Sequence, residues 1–119
     1  MEIKTTKKLE NIIADLYGEI DQSCTESIKN AIQAELMTRG VRNLIINLRN
    51  VTFMDSSGIG MILGRYKYLK SSGGRLVLCG AGHNLRRILS VSGVSGIIPV
   101  KRNTEEALKY LKEEKANEI

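Results

Sequence analysis

The sequence predicts an α/β domain with a mixed, mostly parallel sheet of about five strands and about four helices. Apolar, strand-like runs alternate with segments of helical spacing, and such alternation folds into parallel sheets with right-handed helical crossovers. The chain has 119 residues with 42% hydrophobic content, enough for one domain with a single core. We expect this domain to span residues 1–112, with a solvated C-terminal tail over residues 113–119.

The chain begins with two strand-like segments, residues 2–6 and 11–17. The charged residues 7–10 connect them, so we predict an antiparallel pair. A helix follows, because Ser23 and Glu26 match a capping box and the next apolar residues recur every three or four positions. The predicted core face of this helix, which ends at Gly40, is Ile28, Ala31, Ile32 and Leu36.

The rest of the chain predicts three more strands and three more helices. Residues 44–48 form an uninterrupted apolar strand, the pattern expected when both faces of a sheet are covered. Residues 76–79 repeat that pattern, and Ile97, Ile98 and Val100 predict a short last strand. The helices are marked by the apolar stripes Ile59, Ile62, Leu63, Tyr66 and Leu69, ended by Gly73; Leu85, Ile88 and Leu89; and Ala107, Leu108 and Leu111, after the capping pair Asn103 and Glu106.

The positive charge is concentrated in one segment. Residues 56–104 carry a net charge of +8 with no carboxylate, whereas residues 1–55 carry −1 and residues 105–119 carry −2. Such a field can favour nucleic acid, anionic lipid or an acidic protein surface. A nucleic-acid-binding module is therefore an alternative, but the chain has only four tyrosines and one phenylalanine and no stacking motif. We expect solvated surface charge and no nucleic-acid partner.

The sequence also bears on compartment and redox state. The N-terminal MEIKTTKKLE lacks the apolar segment of a secretory signal, and no apolar run approaches the roughly 20 residues needed to span a bilayer. We expect a cytoplasmic protein with no membrane partner. Cys24 and Cys79 have no metal-ligand spacing, so we expect two reduced thiols and no metal site.

The segment 55–58, Asp-Ser-Ser-Gly, lies where a strand pattern stops and a helix begins. Loops at the carboxyl ends of parallel strands share one rim, so residues 18–21 and 80–83 should meet it there. Ser56 or Ser57 is expected at the N-cap, which is worth about 1 kcal/mol. Capping explains one serine but not two. The functional hypothesis is that one of these serines is a phosphoacceptor. A phosphate adds about −1.5 to −2 charges, which would repel carboxylates on a partner.

Catalysis at these serines fits poorly. His83 is the only histidine, and no Gly-x-Ser-x-Gly elbow surrounds the serines. A Ser-His-Asp set stays open because His83 could reach the same rim, although an exposed residue in the first turn of a short helix is favoured. Residues 80–82 begin like a dinucleotide-binding turn but lack its third glycine, and no phosphate-binding P-loop is present.

Three segments, "YGEIDQSCTESIKNAI", "LIINLRNVTFMDSSGIGMILGRYKYLKSSGG" and "ILSVSGVSGII", resemble the STAS-domain anti-sigma factor antagonists of spore-forming bacteria. The resemblance covers about residues 2–112 and is most specific over Phe53-Met54-Asp55-Ser56-Ser57-Gly58. It implies the STAS fold, a right-handed superhelix of βα units, without catalytic activity. It also implies that the unphosphorylated form binds an anti-sigma factor, a dimeric ATP-dependent serine kinase, and so frees a sigma factor.

The same resemblance implies roles for individual residues. The kinase phosphorylates the serine directly after the motif aspartate, here Ser56, and a serine phosphatase reverses this. Asp21, Asp55, Ser57 and Gly58 are expected at the partner interface. ATP belongs to the kinase, so no cofactor is implied for this chain. A STAS regulator of a stress-response or stressosome pathway is the alternative, with the same phosphoacceptor and a different kinase.

Overall fold

The computed structural model describes residues 2–117, which contain a five-stranded sheet and four α-helices. A 3₁₀ turn, Val94–Gly96, precedes the last strand. The predicted α/β class is therefore confirmed. In chain order the elements are β1 (Ile3–Lys8), β2 (Asn11–Ile20), α1 (Thr25–Leu36), β3 (Asn43–Met54), α2 (Ser56–Ser72), β4 (Leu76–Cys79), α3 (His83–Val91), β5 (Val100–Lys101) and α4 (Thr104–Ala116).

The strands lie in the sheet in the order of the chain, β1-β2-β3-β4-β5. β1 pairs antiparallel with β2, and each later pair of neighbours is parallel. Each parallel pair is connected through one helix, as βαβ units require. The sheet is therefore mixed and mostly parallel, as the sequence predicts.

β2 and β3 extend beyond the rest of the sheet. Their pairing continues as far as Ile20 beside Met54, whereas β3 pairs with β4 only over Leu44–Asn47. The last seven residues of β3 thus pass the end of β4, a length of about 23 Å at the usual rise per residue. This two-stranded projection carries the start of α2 away from the loop that follows β4.

Helices cover both faces of the sheet. Successive strand residues point to opposite faces, so Leu44, Ile46 and Leu48 join the large core beneath α1, α2 and α3. Ile45 faces the smaller core beneath α4, where it packs with Ala107. The uninterrupted apolar pattern of β3 arises because both of its faces are buried.

The capping box predicted at Ser23 is wrong. Cys24 is the N-cap residue of α1, and its side chain makes no capping hydrogen bond. Ser23 instead donates its backbone N–H and its hydroxyl to Asp21 Oδ1, at 2.9 and 2.5 Å. An aspartate closes such turns readily with the backbone two residues on, and here it engages the serine before the helix begins. α1 then ends at Leu36, before Gly40.

The buried face of α2 is wider than the predicted stripe. Ile62 and Leu69 are buried as expected, but Met61 and Arg65 are buried as well. α2 contacts α1 in addition to the sheet, which covers positions that a single stripe leaves out. The helix ends as predicted at Gly73, which has a left-handed backbone with φ of 83°.

The last strand is shorter than predicted. It consists of Val100 and Lys101 alone, because residues 94–96 form the 3₁₀ turn. Ile97, which was predicted to lie in this strand, is 53% exposed. Ile98 is buried, so the apolar pair that suggests a strand contributes one side chain to the core and one to the surface.

α4 begins as predicted, with Asn103 Oδ1 accepting the N–H of Glu106 at 2.9 Å. Residues 113–116 form the last turn of this helix, which the sequence predicts to run to about Lys115, and they are mostly exposed. Lys115 Nζ lies 3.1 Å from Glu10 Oε1, so a surface ion pair joins this turn of the helix to the β1–β2 turn. The rest of the predicted tail beyond residue 117 lies outside the described residues.

Candidate functional site

Asp55 is the N-cap residue of α2. Its Oδ1 accepts the backbone N–H of Ser57 at 2.9 Å and that of Gly58 at 3.3 Å. The prediction that Ser56 or Ser57 caps the helix is wrong, because the carboxylate takes these amides and its negative charge suits a helix N-terminus. Neither serine hydroxyl is needed to begin the helix.

Ser56 is the first residue of α2, and it is exposed. Within residues 2–117, no hydrogen bond engages its hydroxyl. Ser57 is half-buried and contributes its backbone N–H to the cap. The two serines therefore differ: the Ser56 hydroxyl is open to a partner, whereas Ser57 belongs to the turn.

Gly58 is buried where α2 approaches the ends of the two long strands. A Cβ atom at this position would lie 2.3 Å from Met54 Cγ and 3.2 Å from Ile20 Cγ2. The absence of a side chain thus allows the helix to begin directly against β2 and β3. Gly58 is therefore needed for this close packing, and its place at the partner interface stays a prediction.

Asp21 follows β2 at the same end of the projection. The N–H of Asp55 donates to the carbonyl of Ile20 at 3.2 Å, which places the two aspartates on neighbouring strand ends. The hydroxyl and then the backbone N–H of Ser23 lower the pKa of Asp21 below its usual value. The strand pairing therefore brings Asp21 beside the Asp55–Ser56 turn, as the sequence predicts.

The loop after β4 does not join this site. Residues 80–83 were predicted at the same rim, but β4 ends opposite Asn47, well before β3 ends. Gly80 packs tightly there, since a Cβ would lie 2.6 Å from Asn47 Oδ1. His83 is exposed and begins α3. The loops after β3 and β4 therefore do not meet, because β3 continues well beyond the end of β4.

The opposite end of α3 reaches Ser56 instead. A cleft of about 530 Å³ lies between the start of α2 and the second half of α3. Val91 at its edge is 82% exposed, and Arg87 brings a positive charge to the cleft that contains Ser56. Sequence reasoning missed these α3 residues, and no local pattern points to them. The apolar lining of the cleft is Met54, Ile59, Ile88 and Val91.

The basic residues of segment 56–104 are dispersed. Arg65 is buried, and Arg87 lines the cleft at Ser56. Four others contact neighbouring side chains, which does not favour a continuous nucleic-acid-binding surface. The contacts are Arg75 with Glu114 at 3.5 Å, Arg102 with Glu106 at 3.4 Å, Lys70 over the Tyr66 ring at 5.8 Å and Lys101 over the Tyr110 ring at 4.4 Å.

Both cysteines are buried free thiols. Burial, with a smaller contribution from the negative charge of Asp15, raises the pKa of Cys79 to about 11. Across residues 2–117, no three His, Cys, Asp or Glu side chains are grouped so that they could hold a metal ion. The helices of this same range are all too short or too polar to cross a bilayer.

Residues 2–107 match the family model of the STAS domain. The chain belongs to the STAS domain family. It is 34% identical over 100 residues to an anti-sigma F factor antagonist of Paenibacillus polymyxa, covering 84% of this chain and 86% of that protein. It is also 34% identical over 101 residues to an anti-sigma-B factor antagonist of Listeria monocytogenes, covering 85% and 87%.

Solved structures agree with this assignment. The STAS domain superposes on the unphosphorylated anti-sigma factor antagonist SpoIIAA with a TM-score of 0.81 and 28% identity, covering 93% of this chain and 96% of SpoIIAA. The phosphorylated form of the Bacillus cell fate determinant SpoIIAA gives a TM-score of 0.71, covering 91% and 97%. The resemblance seen in the sequence and the predicted STAS fold are thereby confirmed.

Proposed function

We propose that this STAS domain is an anti-sigma factor antagonist, whose unphosphorylated form binds an anti-sigma factor and thereby releases a sigma factor. Relatives of that name, aligned over more than four-fifths of both chains, support the proposal. Phosphorylation of Ser56 by the anti-sigma factor, acting as a serine kinase, ends the binding, and a serine phosphatase restores it. The chain supplies no catalytic step, and ATP binds to the kinase.

The observation that carries this proposal is that Asp55, and not Ser56, caps α2. A capping serine would have its oxygen held by backbone amides and turned toward the helix. Here the Ser56 hydroxyl is exposed at the helix start, beside an apolar cleft that can receive a side chain of the partner. A kinase can thus reach the hydroxyl without unwinding the helix.

The same geometry explains how a phosphate would act on binding. The amides of Ser57 and Gly58 already donate to Asp55, so they do not neutralise a phosphate on Ser56. The phosphate adds about −1.5 to −2 charges beside Asp21 and Asp55. At about 6 Å and an effective dielectric near 20, it repels a partner carboxylate by roughly 5 kcal/mol before screening. A micromolar complex has only about 8 kcal/mol of binding free energy.

The proposal is tested by incubating the purified chain with a candidate anti-sigma factor kinase and ATP, followed by mass spectrometry. We expect one added phosphate, mapped to Ser56. A Ser56→Ala variant should acquire none, whereas a Ser57→Ala variant should be modified as the wild type is. Phosphate at another residue, or equal labelling of the Ser56→Ala variant, would overturn the assignment of the site.

A second candidate is an antagonist in a stress-response pathway. The identity to the anti-sigma-B factor antagonist of Listeria monocytogenes, 34%, equals that to the anti-sigma F factor antagonist, so identity does not separate the two candidates. Both candidates use the same surface, so the identity of the kinase decides between them. Titration of the unphosphorylated chain against an anti-sigma F factor and an anti-sigma-B factor, at the same ionic strength, distinguishes them by which complex is tighter.

A further inference from the structure

A second surface lies at the amino-terminal end of the parallel strands, opposite to the end that carries Ser56. A groove of about 770 Å³ runs there between the β1–β2 turn and α4. Leu9, Leu108 and Leu111 provide its apolar lining. Four lysines share the groove with them: Lys8, Lys109, Lys112 and Lys115. We call these seven residues the lysine groove.

Leu9 is unusual in two respects. Its side chain is 84% exposed, and its backbone is left-handed, with φ of 58°. It is the first residue of a two-residue hairpin turn, since Lys8 pairs with Asn11, and glycine is the usual residue where such a turn needs a positive φ. A leucine there strains the backbone and exposes apolar surface. Because glycine would serve the fold better, the leucine points to a role outside the fold.

The charge of the groove is mostly uncompensated. Lys115 pairs with Glu10 at 3.1 Å. For Lys8, Lys109 and Lys112, the part of the chain from residue 2 to residue 117 offers no acidic partner within ion-pair distance. The groove therefore combines a protruding leucine with at least three cations that face solvent.

Although the sequence led us to expect no membrane partner, we propose that the lysine groove docks this protein peripherally on an anionic lipid bilayer. Leu9 inserts at the boundary between headgroups and acyl chains, and the lysines contact the lipid phosphates, as on basic amphipathic surfaces. Lysine is depleted in protein–protein interfaces, where arginine and aromatic residues are enriched. This surface has lysines and neither of those types, and a fluid bilayer accepts a protruding side chain without a matching pocket. Docking in this way leaves the Ser56 end facing away from the membrane.

The chain contains no tryptophan, so Leu9→Trp introduces a single reporter at the tip of the turn. The experiment titrates this variant with vesicles of phosphatidylglycerol and with vesicles of phosphatidylcholine. We expect a blue shift of tryptophan emission with the anionic vesicles alone, reversed by high salt. Emission that stays at the wavelength of water-exposed tryptophan while the protein sediments with the vesicles would overturn the insertion of residue 9.

The Leu9→Gly variant separates a binding role from a structural one. Glycine accepts the positive φ, so the melting temperature should rise, while sedimentation with phosphatidylglycerol vesicles should fall several-fold. If Leu9 served only the fold, Leu9→Gly would not combine a higher melting temperature with weaker sedimentation with the vesicles. Unchanged sedimentation of this variant would contradict the proposal.

Two matched pairs of substitutions test the lysines. The double variant Lys109→Gln/Lys112→Gln should weaken binding to phosphatidylglycerol vesicles about 25-fold, at about fivefold for each lysine near the surface. The control Lys29→Gln/Lys67→Gln removes the same charge from exposed positions on α1 and α2 and should change binding far less. Equal losses in both pairs would reduce the effect to net charge and overturn the site. Binding to polyglutamate with no binding to vesicles would instead assign the groove to an acidic protein.

Discussion

Asp55 Oδ1 accepts the backbone N–H of Ser57 at 2.9 Å, and this one contact determines which serine is accessible. The carboxylate begins α2, so the helix does not need the hydroxyl of the intervening Ser56. Since the Ser56 hydroxyl is not needed for the cap, phosphorylating it should leave the fold intact.

The capping role of Asp55 predicts unequal effects on stability. Asp55→Ala should lower the free energy of unfolding by about 1–2 kcal/mol, because two amides of α2 lose their acceptor. Ser56→Ala, which removes an exposed hydroxyl, should change it by less than about 0.5 kcal/mol. Urea denaturation followed by circular dichroism measures both. A cost at Ser56 as large as that at Asp55 would mean that the serine caps the helix.

A negative charge at residue 56 should abolish binding to the anti-sigma factor and leave the fold intact. Ser56→Asp should bind about 100-fold more weakly than unphosphorylated wild type in isothermal titration, which is about 2.7 kcal/mol of binding free energy. Ser56→Ala should bind as tightly as unphosphorylated wild type, and it should keep binding when ATP and the kinase are present, a condition in which wild type is phosphorylated and released. The melting temperature of Ser56→Asp should change by less than about 8 °C, the shift that roughly 1 kcal/mol causes in a small domain. Wild-type affinity of Ser56→Asp would remove the electrostatic mechanism.

Two glycines of α2 should respond oppositely to alanine. Gly58→Ala places a Cβ 2.3 Å from Met54 Cγ. We therefore expect overpacking to lower the free energy of unfolding by about 1–3 kcal/mol. A Cβ at residue 60 has no neighbour within 4 Å. Gly60→Ala should therefore raise the free energy of unfolding by about 0.5–1 kcal/mol, because alanine has the better helix propensity. Thermal denaturation of the two variants tests this. A neutral Gly58→Ala variant would show that the helix start is not held against the strands.

Arg87 should interact with a phosphate on Ser56, because both residues line one cleft. A nearby cation favours the dianion, so the second pKa of the phosphoserine should lie below its ordinary value of about 6. Arg87→Gln should return that pKa toward 6 in a phosphorus NMR titration. Arg86→Gln is the matched control, since Arg86 is exposed and does not line the cleft. Identical titrations in all three proteins would exclude the contact.

Cys79 should reduce stability at alkaline pH. Burial raises its folded-state pKa to about 11, so the unfolded chain releases the thiol proton first. The contribution of the neutral thiol is complete below the unfolded pKa and is lost as the pH rises toward 11. With a thiol pKa of 9.0 in the unfolded chain and about 11 in the folded protein, the loss of folding free energy is about 1 kcal/mol at pH 10. The difference between wild type and Cys79→Ala, measured by urea denaturation at pH 8 and pH 10, isolates this group. A difference that does not change with pH would contradict the prediction.

The sequence by itself determined the features that depend on neighbouring residues. The apolar run at residues 76–79 coincides with β4, Gly73 ends α2, and Asn103 caps α4. The predicted parallel direction of β2 and β3 also carried information. Parallel neighbours end at the same edge of the sheet, and this brings Asp21 beside Asp55. For β4, Gly73 and Asn103 the signal is local: an uninterrupted apolar run, a residue that tolerates a left-handed backbone, and a side chain within reach of the next amides.

Tertiary structure alone decided what Ser56 faces and which charges are buried. Residues 49–53 are mostly exposed and carry no apolar run, yet they continue β3 because β2 lies alongside and pairs with their backbone. That extension excludes residues 80–83 from the site and admits Arg87. Arg65 is buried for a similar reason, since α1 packs over it and Gln33 accepts its hydrogen bond. Periodicity identifies the apolar face of an element, but how far a strand pairs and what covers a helix depend on elements distant in the chain.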